Sequence, residues 1–254
     1  MTITKHFLAP RLGINFTSAL LTHLDMASES TIEYQRLSVL KADIRLLHIA
    51  PLAADAGSDD TVQCTLEHVP LGNPPPYVAL SYCWGSTANT AEIIVSGRRV
   101  NVTVSLETAL RRLRNVGDLV VWADALCINQ LDWEERSLQI LRMGAIYRRA
   151  KSVSIWLGRW ETSELAVICL ESLANWERNR REDNAKTLEE VIGVIDWAAL
   201  RSFFQQPYWS RVWIIQEISF GQNLKILCGD VPEISLEQVM ATIQACERFD
   251  HLLY

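Results

Sequence analysis

The chain has 254 residues, of which 49% are hydrophobic and 21% charged, so it can bury a substantial core and is not an intrinsically disordered protein. Its 24 basic and 30 acidic residues give a formal charge of −6. Because no long basic run is present, the composition also argues against a nucleic-acid partner.

The first part of the chain is predicted to be a partly helical leader, residues 1–34, followed by a single domain over residues 35–254. The leader is mildly apolar, but Lys5, Pro10 and Asp25 interrupt it. It is therefore too broken for a membrane span, and it lacks the apolar core of a signal peptide. We expect a cytoplasmic protein.

The next segments predict mainly β-structure. Short apolar runs predict strands at 43–50, 62–69 and 77–82, and a hairpin over 92–103 that turns near Gly97. A helix is then expected, with Ser105 as its N-cap.

The middle of the chain contains the clearest buried strand, within "DLVVWADALCINQ" (118–130). Its continuous apolar run is typical of a strand covered on both faces, as in a parallel sheet. A long helix follows over "DWEERSLQILRMGAIYRRA", where Asp132 and Glu135 form a capping-box pattern. Acidic residues near its start and basic residues such as Arg148 at its end suit the helix dipole.

The last part of the chain continues the alternation. It predicts a strand at 152–158, helices around 162–180, 187–205 and 210–219, a strand at 224–229 and a helix from about Ser235. Strands alternating with helices of ten or more residues indicate an α/β fold. We expect three layers, with a largely parallel sheet flanked by helices, an added hairpin and helical insertions.

Polar and aromatic residues gather where two predicted strands end. Ser81, Tyr82, Trp84 and Gly85 end the 77–82 strand, and Asp124 follows the next buried one, with Asn129 and Gln130 further on. Open α/β sheets bind ligands beyond the carboxyl ends of their strands, so a site is expected here. Asp124 could instead be a turn or cap residue, and Trp84 could belong to the core.

A single carboxylate lies within the apolar stretch "RVWIIQEIS" (211–219). With Ser210 as N-cap, the 3.6-residue period puts Val212, Ile215 and Ile218 on the core face. The same period puts Trp213 and Glu217 together on another face.

Two interpretations of Glu217 remain open. A desolvated carboxylate beside a tryptophan is typical of a functional acid, whereas a carboxylate close to Arg211 is equally typical of a structural ion pair.

Other chemistries have weaker support. The nucleotide-loop, zinc-protease and nucleophile-elbow motifs are absent, and the six cysteines lack the spacing of metal ligands, so no metal site is expected. Cys83 or Cys127 could act as a nucleophile with His68 as its base, and Ser81 could serve an α/β hydrolase. Reduced, buried structural thiols are the commoner alternative.

Three segments resemble the three blocks of the fungal heterokaryon-incompatibility (HET) domain in order and spacing. They are "YVALSYCWG", "VVWADALCINQLDWEERSLQILRMGAIYRRAKSVSIWLG" and "PYWSRVWIIQEI". The resemblance covers roughly residues 33 to 240. Cys83 and Ala123 depart from it, since a valine and an isoleucine are commoner there. Such domains usually begin longer proteins, so this chain is expected to be a fragment or a short form.

The resemblance implies cell-death signalling in fungal non-self recognition. HET domains have been proposed as distant relatives of TIR domains, which are flavodoxin-like, and "SRVWIIQEI" is similar to the TIR segment that holds a catalytic glutamate. Glu217 would then be catalytic in an NAD glycohydrolase, with NAD as a consumed substrate and no resident cofactor. Arg211 would meet a phosphate, and Trp84 or Trp213 would stack on a ring.

A non-enzymatic alternative stays open beside this one. The domain could signal by associating with copies of itself or with an upstream non-self-recognition partner. The two hypotheses differ in what they require of Glu217, which is essential to the first and replaceable in the second.

Overall fold

We describe the protein from a computed structural model, in which residues 32–52, 61–117, 119–180 and 187–252 are described. Residues 1–31 of the expected leader lie outside these ranges. The described residues form two compact units. Of the described residues, the larger unit contains those from 32 to Trp156 together with Arg211–Leu224, and the smaller unit contains Leu157–Ser210 and those from Lys225 to Leu252. The single domain over residues 35–254 stays a prediction.

The described part of the larger unit contains seven strands and four helices. These are β1 (Asp43–Ile49), β2 (Gln63–Pro70), β3 (Val78–Tyr82), β4 (Thr90–Val95), β5 (Arg98–Thr103), α1 (Val104–Asn115), β6 (Val120–Trp122), α2 (Asp124–Cys127), α3 (Trp133–Arg149), β7 (Ser152–Trp156) and α7 (Ile214–Phe220). The smaller unit contains α4 (Ser163–Asn179), α5 (Leu188–Ile192), α6 (Trp197–Phe204), a 3-10 turn (Pro207–Ser210), β8 (Leu224–Leu227), β9 (Ile234–Ser235) and α8 (Leu236–Leu252). The first residue of β8 still belongs to the larger unit.

The sheet of the larger unit has the strand order β5-β4-β2-β1-β6-β3-β7. The α/β class is confirmed, but the sheet is mixed rather than largely parallel. Strand β3 runs parallel to β6 and β7, and β2 parallel to β4, whereas β1 is antiparallel to both of its neighbours. The expected hairpin is antiparallel, with Ser96 and Gly97 at φ 50° and 79° in its two-residue turn.

The centre of the sheet is the most deeply buried part of the larger unit. Every residue of β3 and β7 is buried. Helix α3 packs against it through Tyr147, whose hydroxyl donates to the Leu80 carbonyl and whose ring meets Trp122 edge-on. Strands at the centre of the sheet are therefore covered on both faces.

Two helix starts differ from the predictions in detail. Thr103, not Ser105, caps α1 by accepting from the Leu106 N–H, and the Ser105 hydroxyl donates to the Cys83 carbonyl instead. Asp132 caps α3 as expected. Glu135 does not complete the capping box, because its carboxylate forms a bidentate buried pair with Arg45.

In the smaller unit, α4 and α8 are in contact, and the Thr242 hydroxyl donates to the Leu170 carbonyl. The helix expected over 187–205 is two helices, α5 and α6, because Asp196 accepts from the Ala199 N–H and starts a new one. Strands β8 and β9 pair antiparallel. No described helix is both long enough and apolar enough to cross a membrane.

Candidate functional site

The helix that carries Glu217 starts later than the sequence predicted. Ser210 ends a 3-10 turn and its hydroxyl donates to the Pro207 carbonyl, so it does not cap α7, which begins at Ile214. Because Val212 precedes the helix, the expected apolar face is wrong. Val212 and Ile215 are exposed, and Ile214 and Glu217 are buried instead.

Close packing at Gly221 explains this orientation of α7. A Cβ at Gly221 would lie 2.6 Å from a Val153 methyl group on β7 and 2.7 Å from the Glu217 carbonyl oxygen. The end of the helix therefore lies directly against the sheet. Residues 214, 217 and 221 follow each other at helical spacing, so Glu217 faces inward.

Glu217 is 1% exposed, and its two carboxylate oxygens are engaged. The Ser81 hydroxyl on β3 donates to Oε2. The Arg211 guanidinium donates to both oxygens, at 3.3 Å to Oε2 and 3.2 Å to Oε1. Arg211 itself is 14% exposed, so this pair lies at the edge of the interior.

A second carboxylate, Asp124, follows β6 as the first residue of α2. Its Oδ2 accepts from the Trp84 indole N–H at 2.9 Å, and its Oδ1 accepts from the Ala125 N–H at 2.8 Å. The side-chain amide of Gln130 donates to the Asp124 carbonyl, which fixes the loop that follows. The buried Tyr82 hydroxyl lies close to Asp124, but the two groups do not meet the distance and angle criteria of a hydrogen bond.

The sheet topology brings these residues together. Strands β3 and β6 are parallel neighbours, with Ala79 opposite Trp122, so their carboxyl ends adjoin at one edge. Ser81, Trp84 and Asp124 therefore lie near each other at this edge, and their role in a ligand site stays a prediction. Helix α7, which packs on α3, adds Glu217, and the segment just before the helix adds Arg211.

The electrostatics of the cluster are governed by burial. Desolvation raises the pKa of Glu217, with Arg211 and Ser81 opposing the shift and the charge of Asp124 adding to it. Burial likewise raises the pKa of Asp124, opposed by Arg211 and the Trp84 hydrogen bond. The pKa of Tyr82 lies well above its usual range, first from burial and then from Asp124. Two carboxylates thus share one guanidinium.

A cavity lies beside the carboxylates, and the sequence contained only a weak indication of it. Tyr82 and Trp84 line it together with Asn129 and Gln130. The Asn-Gln pair, which follows α2 a few residues after β6, was the only signal for it in the sequence. The cavity has a volume of about 40 Å³, which holds only a few water molecules, so its indole and two amides could meet a planar, polar ring only if it opens.

The remaining predicted positions are less closely tied to the cluster. Trp213 precedes α7 as its N-cap residue and is half-buried, and Gly85 has φ +77° in the loop after β3. The Cys127 thiol is buried, and its pKa is raised to about 12, so it is a poor nucleophile. His68 lies on β2, where burial lowers the pKa of its imidazole.

Comparison with known proteins gives one family and one relative to report. The profile of the family described as "Heterokaryon incompatibility protein (HET)" matches residues 77–217. A Neurospora crassa protein, "Heterokaryon incompatibility protein 6, OR allele", is 40% identical over 234 residues, covering 76% of this chain and 34% of that protein. The chain thus spans about a third of the length of this relative. No solved structure matches the chain.

Proposed function

The chain belongs to the heterokaryon-incompatibility (HET) family, and on that premise we propose that it acts in the cell-death response of fungal non-self recognition. The same proposal places it in the cytoplasm, downstream of a partner that reports non-self. For the Glu217 site we propose hydrolysis of NAD at the nicotinamide–ribose bond.

The observation that carries the enzymatic proposal is a desolvated carboxylate at the carboxyl edge of parallel strands. Glu217 is almost fully buried, and its pKa is raised despite a bidentate arginine and a hydroxyl donor. Groups with strongly perturbed titration at a strand-end edge are typical of functional sites. Asp124 and the cavity beside Trp84 extend the cluster toward a ligand.

The cluster suits the charge changes of this reaction. When the bond between ribose C1′ and the nicotinamide nitrogen breaks, the electron pair leaves with nicotinamide and an oxocarbenium-like ribosyl cation develops. Two carboxylates and one guanidinium carry a net negative charge when both acids are ionised, which stabilises that cation. A water oxygen then bonds to C1′ and loses one proton, leaving ADP-ribose.

Substrate binding requires the Glu217–Arg211 pair to exchange partners. In the described arrangement both Glu217 oxygens are occupied by Arg211 and Ser81. A diphosphate offers Arg211 a better bidentate partner, and the ribose hydroxyls then become donors to Glu217. Trp84, or Trp213 once α7 has shifted, stacks on a ring of the substrate.

The test is nicotinamide release from NAD by the purified chain at its highest soluble concentration, with wild type compared with Glu217→Gln. We expect the substitution to lower the rate at least about 100-fold while the fold persists. Glu107→Gln is the matched control, because Glu107 is also a buried glutamate paired with an arginine, Arg111, but lies outside the cluster. Equal loss of activity in both variants would refute a specific role for Glu217.

A second candidate function has its own supporting observation. The near-complete burial of Glu217 and its saturation by Arg211 and Ser81 also suit a purely structural ion pair in a non-enzymatic signalling module. This candidate predicts that folded wild-type protein releases no nicotinamide and that Glu217→Gln keeps its cell-death activity in a fungal host.

A further inference from the structure

The outer face of α3 has an apolar residue at its centre that nothing in the described structure covers. Leu141 is the middle residue of the helix Trp133–Arg149, and its side chain is 83% exposed. The helix has 17 residues and is therefore about 25 Å long. A leucine this exposed at the centre of a long surface helix marks a candidate interaction surface.

Among the described residues, neighbours occupy both flanks of this face, whereas none covers Leu141 on the outermost line of the helix, which we call the crest. On one flank the Phe220 ring of α7 lies where a Cβ of Gly144 would be, at 2.9 Å. On the other flank the Arg142 guanidinium donates to the Val39 carbonyl, which places the exposed Val39 beside α3. Leu141 lies between them, so the apolar surface extends across the helix.

The charges along the crest are arranged symmetrically about Leu141. Glu134 lies seven residues before it and Arg148 seven residues after it, which is two helical turns in each direction. All three side chains therefore point to the same side of α3. Glu134 and Arg148 are both exposed. Small residues, Ser137 and Ala145, occupy the intervening positions on this line, which lets a second helix approach closely.

We propose that this surface pairs two copies of the chain through an antiparallel α3–α3 contact with Leu141 on the two-fold axis. In that arrangement Glu134 of each copy lies opposite Arg148 of the other, because a two-fold interface is isologous. A parallel arrangement would instead place Glu134 beside Glu134, and Arg148 beside Arg148. The charge pattern thus complements itself in one orientation only, which is why a second copy is the occupant.

The existing contacts of the two charged residues are compatible with this pairing. Glu134 forms an ion pair with Arg36 at 3.6 Å, but both side chains are at least 80% exposed, so water competes for it. The Arg148 guanidinium lies over the Phe220 ring on the α7 flank, 4.6 Å from its centroid, and a cation–π contact at an exposed site is weak enough for Arg148 to exchange it for a carboxylate. The interface requires no change at Glu217, and the proposal is independent of any catalytic activity.

The test is sedimentation velocity of the purified chain over a concentration series. We expect wild type to form dimers and Leu141→Glu to weaken dimerisation at least about tenfold. Ile168→Glu is the control, since Ile168 is a 59% exposed apolar residue on another helix, α4, and its substitution should leave the dimer unchanged. Circular dichroism and thermal melts establish that each variant is folded.

Charge reversal determines the orientation of the two helices. Glu134→Arg and Arg148→Glu should each weaken the homodimer, because each variant places like charges opposite each other. An equimolar mixture of the two variants should dimerise again, since every pair in the mixed dimer is then opposite in charge. A monomeric wild type at every concentration, an unaffected Leu141→Glu variant, or a mixture that fails to associate would each overturn the proposal.

Discussion

Replacing Gly221 by alanine should destabilise the protein and disturb the Glu217 site together. The added Cβ would lie 2.6 Å from the Val153 methyl group, 2.7 Å from the Glu217 carbonyl oxygen and 3.1 Å from a Leu224 methyl group. The first two distances are shorter than real Cβ contacts allow, and one of them is to backbone, so α7 or β7 must move. Overpacking of this kind costs about 1–3 kcal/mol.

The backbone at Gly221 contributes no further penalty, because its φ of −68° suits any residue. The matched control is Gly72→Ala, where no atom lies within 4 Å of the added Cβ and φ is not positive. That substitution should be neutral, or stabilising by roughly 0.4–1 kcal/mol through the unfolded chain.

The measurement is the midpoint of thermal unfolding. At about 2–4 °C per kcal/mol for a chain of this size, Gly221→Ala should melt roughly 2–16 °C below Gly72→Ala. Since the clash includes the Glu217 carbonyl, nicotinamide release, if wild type shows it, should fall as well. If the two variants melt at the same temperature, the close packing of α7 on the sheet is refuted.

Two other predictions follow from the ion pairs. Arg45→Met leaves the Glu135 carboxylate buried without its partner and should lower the free energy of unfolding by about 3–5 kcal/mol. The double variant Arg45→Met with Glu135→Leu should regain most of that loss in chemical denaturation. Equal destabilisation of the single and double variants would contradict this. Burial raises the native pKa values of Glu217 and Asp124 above their ordinary values of 4.5 and 3.8. The stability that the two carboxyl groups contribute is therefore fully present at a pH below those ordinary values, and it is lost as the pH rises through the native pKa values. The stability of Glu217→Gln relative to wild type should therefore increase from about pH 4 to about pH 7, by ~1.4 kcal/mol for each pH unit by which the native pKa of Glu217 is raised. A stability difference that does not change with pH would count against a desolvated Glu217.

Several elements could be predicted from the sequence because their signals are local. The Ser96–Gly97 turn has residues that adopt positive φ, and it forms the expected hairpin. Asp132 caps α3 as its position before a long amphipathic helix indicated. Strands were also expected at 77–82 and 152–158, and β3 and β7 lie there, buried along their whole length.

The errors arose where distant residues decide the outcome. Glu135 had the spacing of a capping box, but the Arg45 guanidinium, far away in sequence, binds it bidentately and outweighs a local hydrogen bond. The largely parallel sheet was wrong for β1, whose antiparallel pairings to β2 and β6 depend on where the chain returns to the sheet.

For the candidate site, the sequence by itself determined which residues are available at the strand ends, because apolar runs and the residues that end them are local properties. It predicted Ser81, Trp84 and Asp124 at one edge from the rule for parallel strands, and it singled out Glu217 as unusual. Only the tertiary structure decided that Glu217 faces inward, since the start of α7 and the packing of Gly221 on Val153 set the rotation of that helix. Helical periodicity specifies which residues share a face, but long-range packing selects the face that is buried.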